Sequence, residues 1–404
     1  MKQDYDVLIV GGGLAGNCLA LALQQSDLKI AIVEASTREQ LHNSPAGDRA
    51  LALADGTIRM LDALGIWPYA QAAATPIESI HISDQGHFGK TRLSAKKEGV
   101  AALGYVITAR DLEAAVAQLV EQAGIEQICP ARVIGIASDE QYAHVSLKQQ
   151  DTSLNISAKL VVGADGGQST VRKLLEIEQA LTEYNQTAIV TTIKTELAHN
   201  NVAYERFTSS GPLALLPFKQ DYAVVWTRTT EDAEQLLMDS EEEFLASLQS
   251  CFGYKLGRFS LTAPRRSFPL SLIRAKSMYS GRAVIIGNAV HQLHPVAGQG
   301  FNLGLRDVVQ LAEMLLNEAQ QGGDIGAQAL LEQYAKQRQK DHDTVINFTD
   351  TVVKLFSNEW LSFALARNSG LALLDLMPGA KKQLARYAMG LNTRMPHIGT
   401  RRRA

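Results

Sequence analysis

The sequence predicts an α/β protein: a Rossmann-like dinucleotide-binding domain interrupted by an inserted β-sheet domain and followed by C-terminal helices. Three observations predict it. Asp6-Val7-Leu8-Ile9-Val10 is an apolar, β-branched run that enters a glycine cluster and then a helix-forming stretch, as the first strand of a parallel sheet covered on both faces does. Between Thr187 and Thr230 the pattern changes to short runs bounded by Gly, Pro and Asn, the signature of a separate sheet. Beyond residue 306 apolar residues recur at helical spacing.

Composition bounds the rest. The 404 residues are 46% hydrophobic and 20% charged, an ordinary globular balance and enough for two or three domains. With 39 Lys+Arg against 42 Asp+Glu the formal charge is −3, so the chain lacks the basic footprint of a nucleic-acid binder. Cys18, Cys129 and Cys251 are odd in number and far apart, which argues against a disulfide framework. The first apolar run is too short for a secretory signal, and no run of about 18 apolar residues suggests a spanning helix. A cytoplasmic location is expected.

The first strand ends at Gly11-Gly12-Gly13-Leu14-Ala15-Gly16, and Leu19, Leu21, Ala22 and Leu23 follow in a helical stretch. At a strand-to-helix turn these glycines allow a tight turn, a close approach of backbone to pyrophosphate, and close helix packing. The helix N-terminus then offers free N–H groups to phosphate. A second strand, Lys29 to Val33, ends in Glu34, placed to accept from ribose hydroxyls. The motif specifies an ADP-containing cofactor and leaves nicotinamide and flavin both open.

Two later segments bear on that choice. The first reads Lys159-Leu160-Val161-Val162-Gly163-Ala164-Asp165-Gly166-Gly167, a short apolar strand running into an acidic, glycine-rich turn. The second reads Ala283-Val284-Ile285-Ile286-Gly287-Asn288, continuing through His294-Pro295 and Gly298-Gln299-Gly300-Phe301-Asn302 to Asp307. A nicotinamide dehydrogenase has no need of this extra loop, whereas an extended FAD needs its ribityl chain and ring held as well as its ADP half. His291 and His294 find no third ligand at zinc-site spacing, so no metal is expected.

Together these segments resemble the single-component FAD-dependent aromatic hydroxylases, over at least residues 5 to 345. Tyr204-Glu205-Arg206-Phe207-Thr208, Gly211-Pro212-Leu213-Ala214-Leu215-Leu216-Pro217 and the His294-to-Asp307 segment are similar to the ubiquinone-biosynthesis branch. Ser83-Asp84-Gln85-Gly86-His87, Phe252-Gly253-Tyr254-Lys255-Leu256-Gly257 and Gly287-Asn288 are similar to its 2-octaprenyl-6-methoxyphenol hydroxylase subfamily. The resemblance implies that Gly11, Gly13, Leu14, Ala15 and Gly16 meet the pyrophosphate, Glu34 the adenosine ribose and Val133 the adenine. It places Arg49 beside the flavin, Arg110 near the ribityl and phosphate groups, and Asp165 near the pyrophosphate and the nicotinamide donor. Asn288 stands where many relatives carry Asp touching ribityl hydroxyls, and an amide can still donate and accept there. Pro295, Gly298, Gln299, Gly300, Phe301 and Asn302 would hold the flavin edge, with His294 and Arg49 as the catalytic candidates.

The remaining elements are scaffold or wall. Leu112, Val116, Leu119, Val120 and Ala123 predict a helix ending at Gly124, and Ser240 with Glu243 predicts a capping box. The expected domains are 1–177 and 276–345 for FAD, an inserted sheet over 178–275, and a helical region over 346–404. Leu213, Leu215 and Trp226 are candidates for the cavity wall or for the core. Apolar residues from Trp360 to Met377 beside Lys381, Lys382, Arg386 and Arg394 leave membrane contact, an isoprenoid tail or a packing partner open. The resemblance implies a reduced flavin that forms a C4a-hydroperoxide with O2 and transfers oxygen to a polyprenyl phenol. NAD(P)H would serve as transient electron donor and other ubiquinone-biosynthesis proteins as partners. His294, Tyr204 and Arg206 are candidates for proton transfer. A sister ring hydroxylase, a flavin-bound assembly subunit and a prenyl reductase are the alternatives.

Overall fold

The structure is a computed structural model that describes residues 4–86, 89–293, 298–356 and 377–392. The first strand, Tyr5–Val10, runs parallel between Thr152–Gly163 and Ile30–Val33 in an eight-stranded sheet. Ala283–Ile285 extends the parallel set beyond Thr152–Gly163, and Glu126–Ile128 extends it beyond Ile30–Val33. The register is the functional point. Val10 stands opposite both Val33 and Gly163, and Gly163 opposite Ile285. Four strands therefore end level, and Gly11, Glu34, Ala164 and Ile286 begin neighbouring loops at the carboxyl edge, where open α/β sheets bind ligands.

The helix Leu14–Leu23 packs against this sheet with Cys18, Leu19, Ala20 and Leu23 fully buried. The helix Gln299–Gln320 buries Val308, Leu311, Ala312 and Leu315, the face predicted from spacing. Ala109–Gln122 starts at Thr108, whose hydroxyl accepts from the Asp111 N–H, and Glu241–Phe252 carries the predicted capping box of Ser240 and Glu243.

The second sheet has nine strands, and it draws on more of the chain than the segment 178–275. Gln179–Thr195, Val202–Thr208, Gly211–Phe218, Asp221–Thr229, Phe259–Leu261 and Arg266–Ala275 come from that segment. Ser79–Asp84 pairs in parallel with Val202–Thr208, Lys90–Ser94 follows it, and His291–Gln292 joins the opposite edge. Residues within 1–177 thus contribute strands to both sheets. Val202–Thr208 would otherwise be an edge with unpaired N–H and C=O groups, and the earlier hairpin satisfies them. A three-stranded sheet of Ala50–Ala54, Thr75–Ile77 and Gly104–Thr108 links the two halves. Ile77, Val106 and Ala203 form the apolar seam between them.

The predicted amphipathic stretch near the C-terminus is the helix Gln328–Phe356. The apolar residues Trp360 to Leu376, and Arg394, lie outside the described residues. Lys381, Lys382 and Arg386 sit on the helix Pro378–Ala388, which packs through Ala385 and then Met389 onto Leu93, Ala95 and Leu103. Among the described residues no helix is long and apolar enough to cross a membrane.

Candidate functional site

The glycine loop is built for close approach. Gly11 sits at φ +113, with Ala164 and Asp165 backbone against it, and a Cβ on Gly16 would lie 2.0 Å from the Gly11 carbonyl oxygen. Gly13, by contrast, faces open space, as a residue passed by a pyrophosphate must. Glu34 accepts from the Gly12 and Ser36 N–H groups, both at 2.7 Å. A carboxylate has about four lone-pair positions, so two remain for ribose hydroxyls. Val133 is the second residue of the strand Arg132–Ser138 next to this point, where the Ala131 N–H donates to the Glu34 carbonyl at 2.7 Å.

From Gly13, Leu14 and Ala15 a cavity of about 910 Å³ extends past Arg49, Ala164, Gly166, Gly287 and Asn288 to Gly298, Gln299, Gly300, Phe301 and Asn302. The loops expected to hold the cofactor thus converge on one space. Gly298 caps the helix at φ +58 with room for no more than its hydrogen, since a Cβ would lie 2.9 Å from that of Ala52. Gly300 faces open space. Asn302 accepts from the Ala54 N–H and the Thr57 hydroxyl and donates to the Ala52 and Gly298 carbonyls. Its amide is saturated, so it fixes the loop against Ala50–Ala54 and presents the helix N-terminus rather than its own side chain. A cradle left open at Gly13 and Gly300, beside a carboxylate that keeps two lone-pair positions free, fits a long flavin nucleotide.

Other expected residues are placed differently. Arg49 lines the cavity, and its Nε donates to the Ala46 carbonyl at 3.0 Å. Arg110 does not line it. Its guanidinium pairs with Asp48 at 2.8 Å and donates to the Ser44 carbonyl, bracing the turn that carries Arg49. Asp165 accepts from the Ser169 hydroxyl and the Thr170 and Val171 N–H groups, capping the helix Thr170–Leu174. His294 and Pro295 lie outside the described residues.

The wall candidates fall on the other face of the sheet. Leu213, Leu215 and Trp226 are buried in a core with Phe244 and Leu248. Their neighbours Ala214, Leu216 and Val225 line the cavity, as the period of two requires. Tyr204 borders the cavity, but its ring packs edge-on against Phe252 at 5.2 Å and His81 at 5.5 Å. Arg206, two residues on, does not line the cavity.

The sequence reasoning gave no role to several residues that the fold brings to these loops and this cavity. Arg172 is buried and donates to the Ala289 and Gly167 carbonyls, stitching together two of the cofactor loops. Asp307 accepts from the Gly287 N–H, His291, Arg338 and His342. Burial opposes its ionisation, but the charges and hydrogen bonds of His342, Arg338 and His291 outweigh this and hold it well below the usual carboxylate range. His291, Asp307 and His342 bring three metal-type ligands together. Four donors already occupy the Asp307 oxygens, so this cluster is an ionic knot joining the Gly287 loop to the helix Gln328–Phe356. Glu113 and Glu205 also line the cavity. Burial raises the Glu113 carboxyl against the pull of Arg49 and Arg110. Glu205 stood in the Tyr204-to-Thr208 motif without a role of its own, and no glycine or spacing signal marked Glu113, one polar residue in an amphipathic helix.

Comparison with known proteins agrees with this geometry. The family described as "FAD binding domain" matches residues 4–349. Ubiquinone hydroxylase UbiL of Rhodospirillum rubrum is 36% identical over 392 residues, covering 95% of this chain and 89% of the relative. An uncharacterised Synechocystis protein, slr1300, is 35% identical over 400 residues, covering 98% and 96%. Among solved structures, p-nitrophenol 4-monooxygenase PnpA from Pseudomonas putida superposes with a TM-score of 0.79 at 18% identity, covering 98% of this chain and all of the other, which bears on the fold alone. A family match across most of the chain, and relatives above a third identical along nearly all of it, place this protein among the FAD-dependent aromatic monooxygenases of the FAD-binding-domain family.

Proposed function

We propose that the protein hydroxylates the ring of a polyprenylated methoxyphenol in ubiquinone biosynthesis, with NAD(P)H as the transient electron donor. The observation that carries this reading is the continuity of one cavity. Its flavin end is polar backbone, and its far end is walled by Ile80, Ile82, Ala188, Val190, Phe207 and Leu216, an apolar surface suited to an aromatic ring with a hydrocarbon tail. The relative UbiL supports the substrate class through its name.

FAD, when bound, supplies the redox and oxygen-activating chemistry. The chain's own residues do the rest. Gly13, Leu14, Ala15 and Glu34 would bind the ADP half, with Val133 beside the adenine. The Gly298 to Asn302 segment would offer helix N–H groups to the flavin ring, favouring negative charge there. Arg49 would add a cation to this cavity, and Asn288 would offer both donor and acceptor to the ribityl hydroxyls. The apolar wall excludes water and orients the substrate ring. On this reading 1–177 and 276–345 form the FAD-binding part, 178–275 the substrate part, and 346–404 the helical region.

The test is mass spectrometry of quinone precursors in a deletion strain. Accumulation of 2-polyprenyl-6-methoxyphenol is expected. Accumulation of an intermediate lacking a hydroxyl at another ring position would assign the protein to a sister step.

A further inference from the structure

The sheet wall of the cavity is apolar at every position in one row but one. Reading across the register, Ile82, Glu205, Ala214, Val225 and Val190 stand side by side on adjacent strands, and all five line the cavity. Glu205 is the single ionisable side chain in that row. Its carboxyl has no hydrogen-bond or ion-pair partner among the described residues. A carboxyl of that kind contributes no structural bond and costs desolvation energy, so its presence there points to a ligand.

We propose that Glu205 is the residue that receives the phenolic hydroxyl of the substrate, accepting its hydrogen bond and then its proton as oxygen is inserted into the ring. The proposal rests on the hydroxylase reading above. In the step, the phenol O–H bond breaks and a new O–H bond forms on a Glu205 oxygen. The electron pair stays on the phenol oxygen and spreads to the ring carbons ortho and para to it. Nothing is oxidised or reduced in this transfer. The flanking Ile82 and Ala214 would hold the ring against the carboxyl.

Burial in the apolar wall pushes the Glu205 carboxyl up to about 7, where a proton acceptor works well near neutral pH. Among the described residues the other titratable groups lining the cavity are Arg49, Glu113, Tyr204 and Tyr387. The strands on either side of Glu205 present apolar residues to it, namely Ile80 and Ile82 on one and Ala214 and Leu216 on the other.

The test uses the FAD-loaded full chain, a 2-methoxyphenol carrying one isoprenyl unit at position 6, and the methyl ether of that phenol. Binding is followed by the change in flavin absorbance from pH 5.5 to 8.5. Wild type should bind the phenol more tightly as pH rises through about 7, and the methyl ether without pH dependence. Glu205→Gln should lose the pH dependence for the phenol, keep ether affinity, retain its flavin, and hydroxylate at least about 100-fold more slowly. A phenol-binding profile in Glu205→Gln that still rises through pH 7, or an equal profile for phenol and ether in wild type, overturns the assignment. The second comparison needs no variant, so a misfolded mutant leaves the question decided. If wild type binds the phenol with the expected profile yet forms no hydroxylated product, the hydroxylase reading fails while the Glu205 contact stands.

Discussion

The cofactor cradle and the substrate wall are specified by opposite means. The cradle is made of backbone: Gly11, Gly13, Gly16, Gly298 and Gly300 matter because side chains are absent, and a Cβ at Gly16 would lie 2.0 Å from a carbonyl oxygen. The wall is made of side chains on alternate strand positions, where Ala214 faces the cavity and Leu213 faces the core. A site made of backbone tolerates little substitution at a few points. A site made of side chains can be reshaped one residue at a time while the fold persists.

The strongest way to break that contrast is Gly16→Val. The added atoms collide with backbone that cannot move without unseating Gly11, so the purified protein is expected to carry no flavin. Visible absorbance after incubation with excess FAD checks this, and a yellow, saturable preparation would contradict it. Next in size is Asp307→Ala, which leaves His342 buried without its carboxylate and Arg338 with Asp341 alone. Such a break costs about 3–5 kcal/mol, read by denaturant unfolding. Because Asp307 also accepts from the Gly287 N–H, flavin affinity should fall with stability.

A paired substitution sharpens the comparison inside the wall itself. Leu213→Ala is expected to cost about 2–5 kcal/mol of stability and to leave KM for the phenol unchanged. Ala214→Phe should instead raise KM or abolish turnover while flavin content stays at the wild-type level. Steady-state kinetics beside thermal denaturation separates the two, and interchanged phenotypes would reverse the assigned faces.

The smallest effect concerns pH. Glu205 is raised from its ordinary 4.5 to about 7, so between those values the folded chain holds a proton that the unfolded chain has released. Stability from this source is therefore full below about pH 4.5 and is lost as pH rises to about 7. Glu205→Gln should unfold a few degrees above wild type at pH 8 and alongside it at pH 4.5. A difference independent of pH would show that the carboxyl does not titrate there.

Sequence legibility follows the same division. The glycine turn, Glu34 at the end of its strand and the Ser240 capping box were readable because each is a local device with fixed spacing. The short runs between Thr187 and Thr230 showed a sheet, but whether Leu213, Leu215 and Trp226 met the cavity or the core depends on what packs behind them, and Phe244 with Leu248 decided that. The parallel pairing of Ile82 with Glu205 joins residues from two distant parts of the chain, so no window of sequence contains it. Arg110 and Asp165 were visible as motif members, while their bonds to Asp48 and to the Ser169 turn depend on the folded geometry.

The strands Ser79–Asp84 and Lys90–Ser94 have a practical consequence for engineering. Transplanting substrate preference between relatives by exchanging only the middle third of the gene would leave the donor sheet paired to a recipient hairpin. A productive chimera must carry both pieces together, so the unit of recombination here is discontinuous in the gene and contiguous only in space.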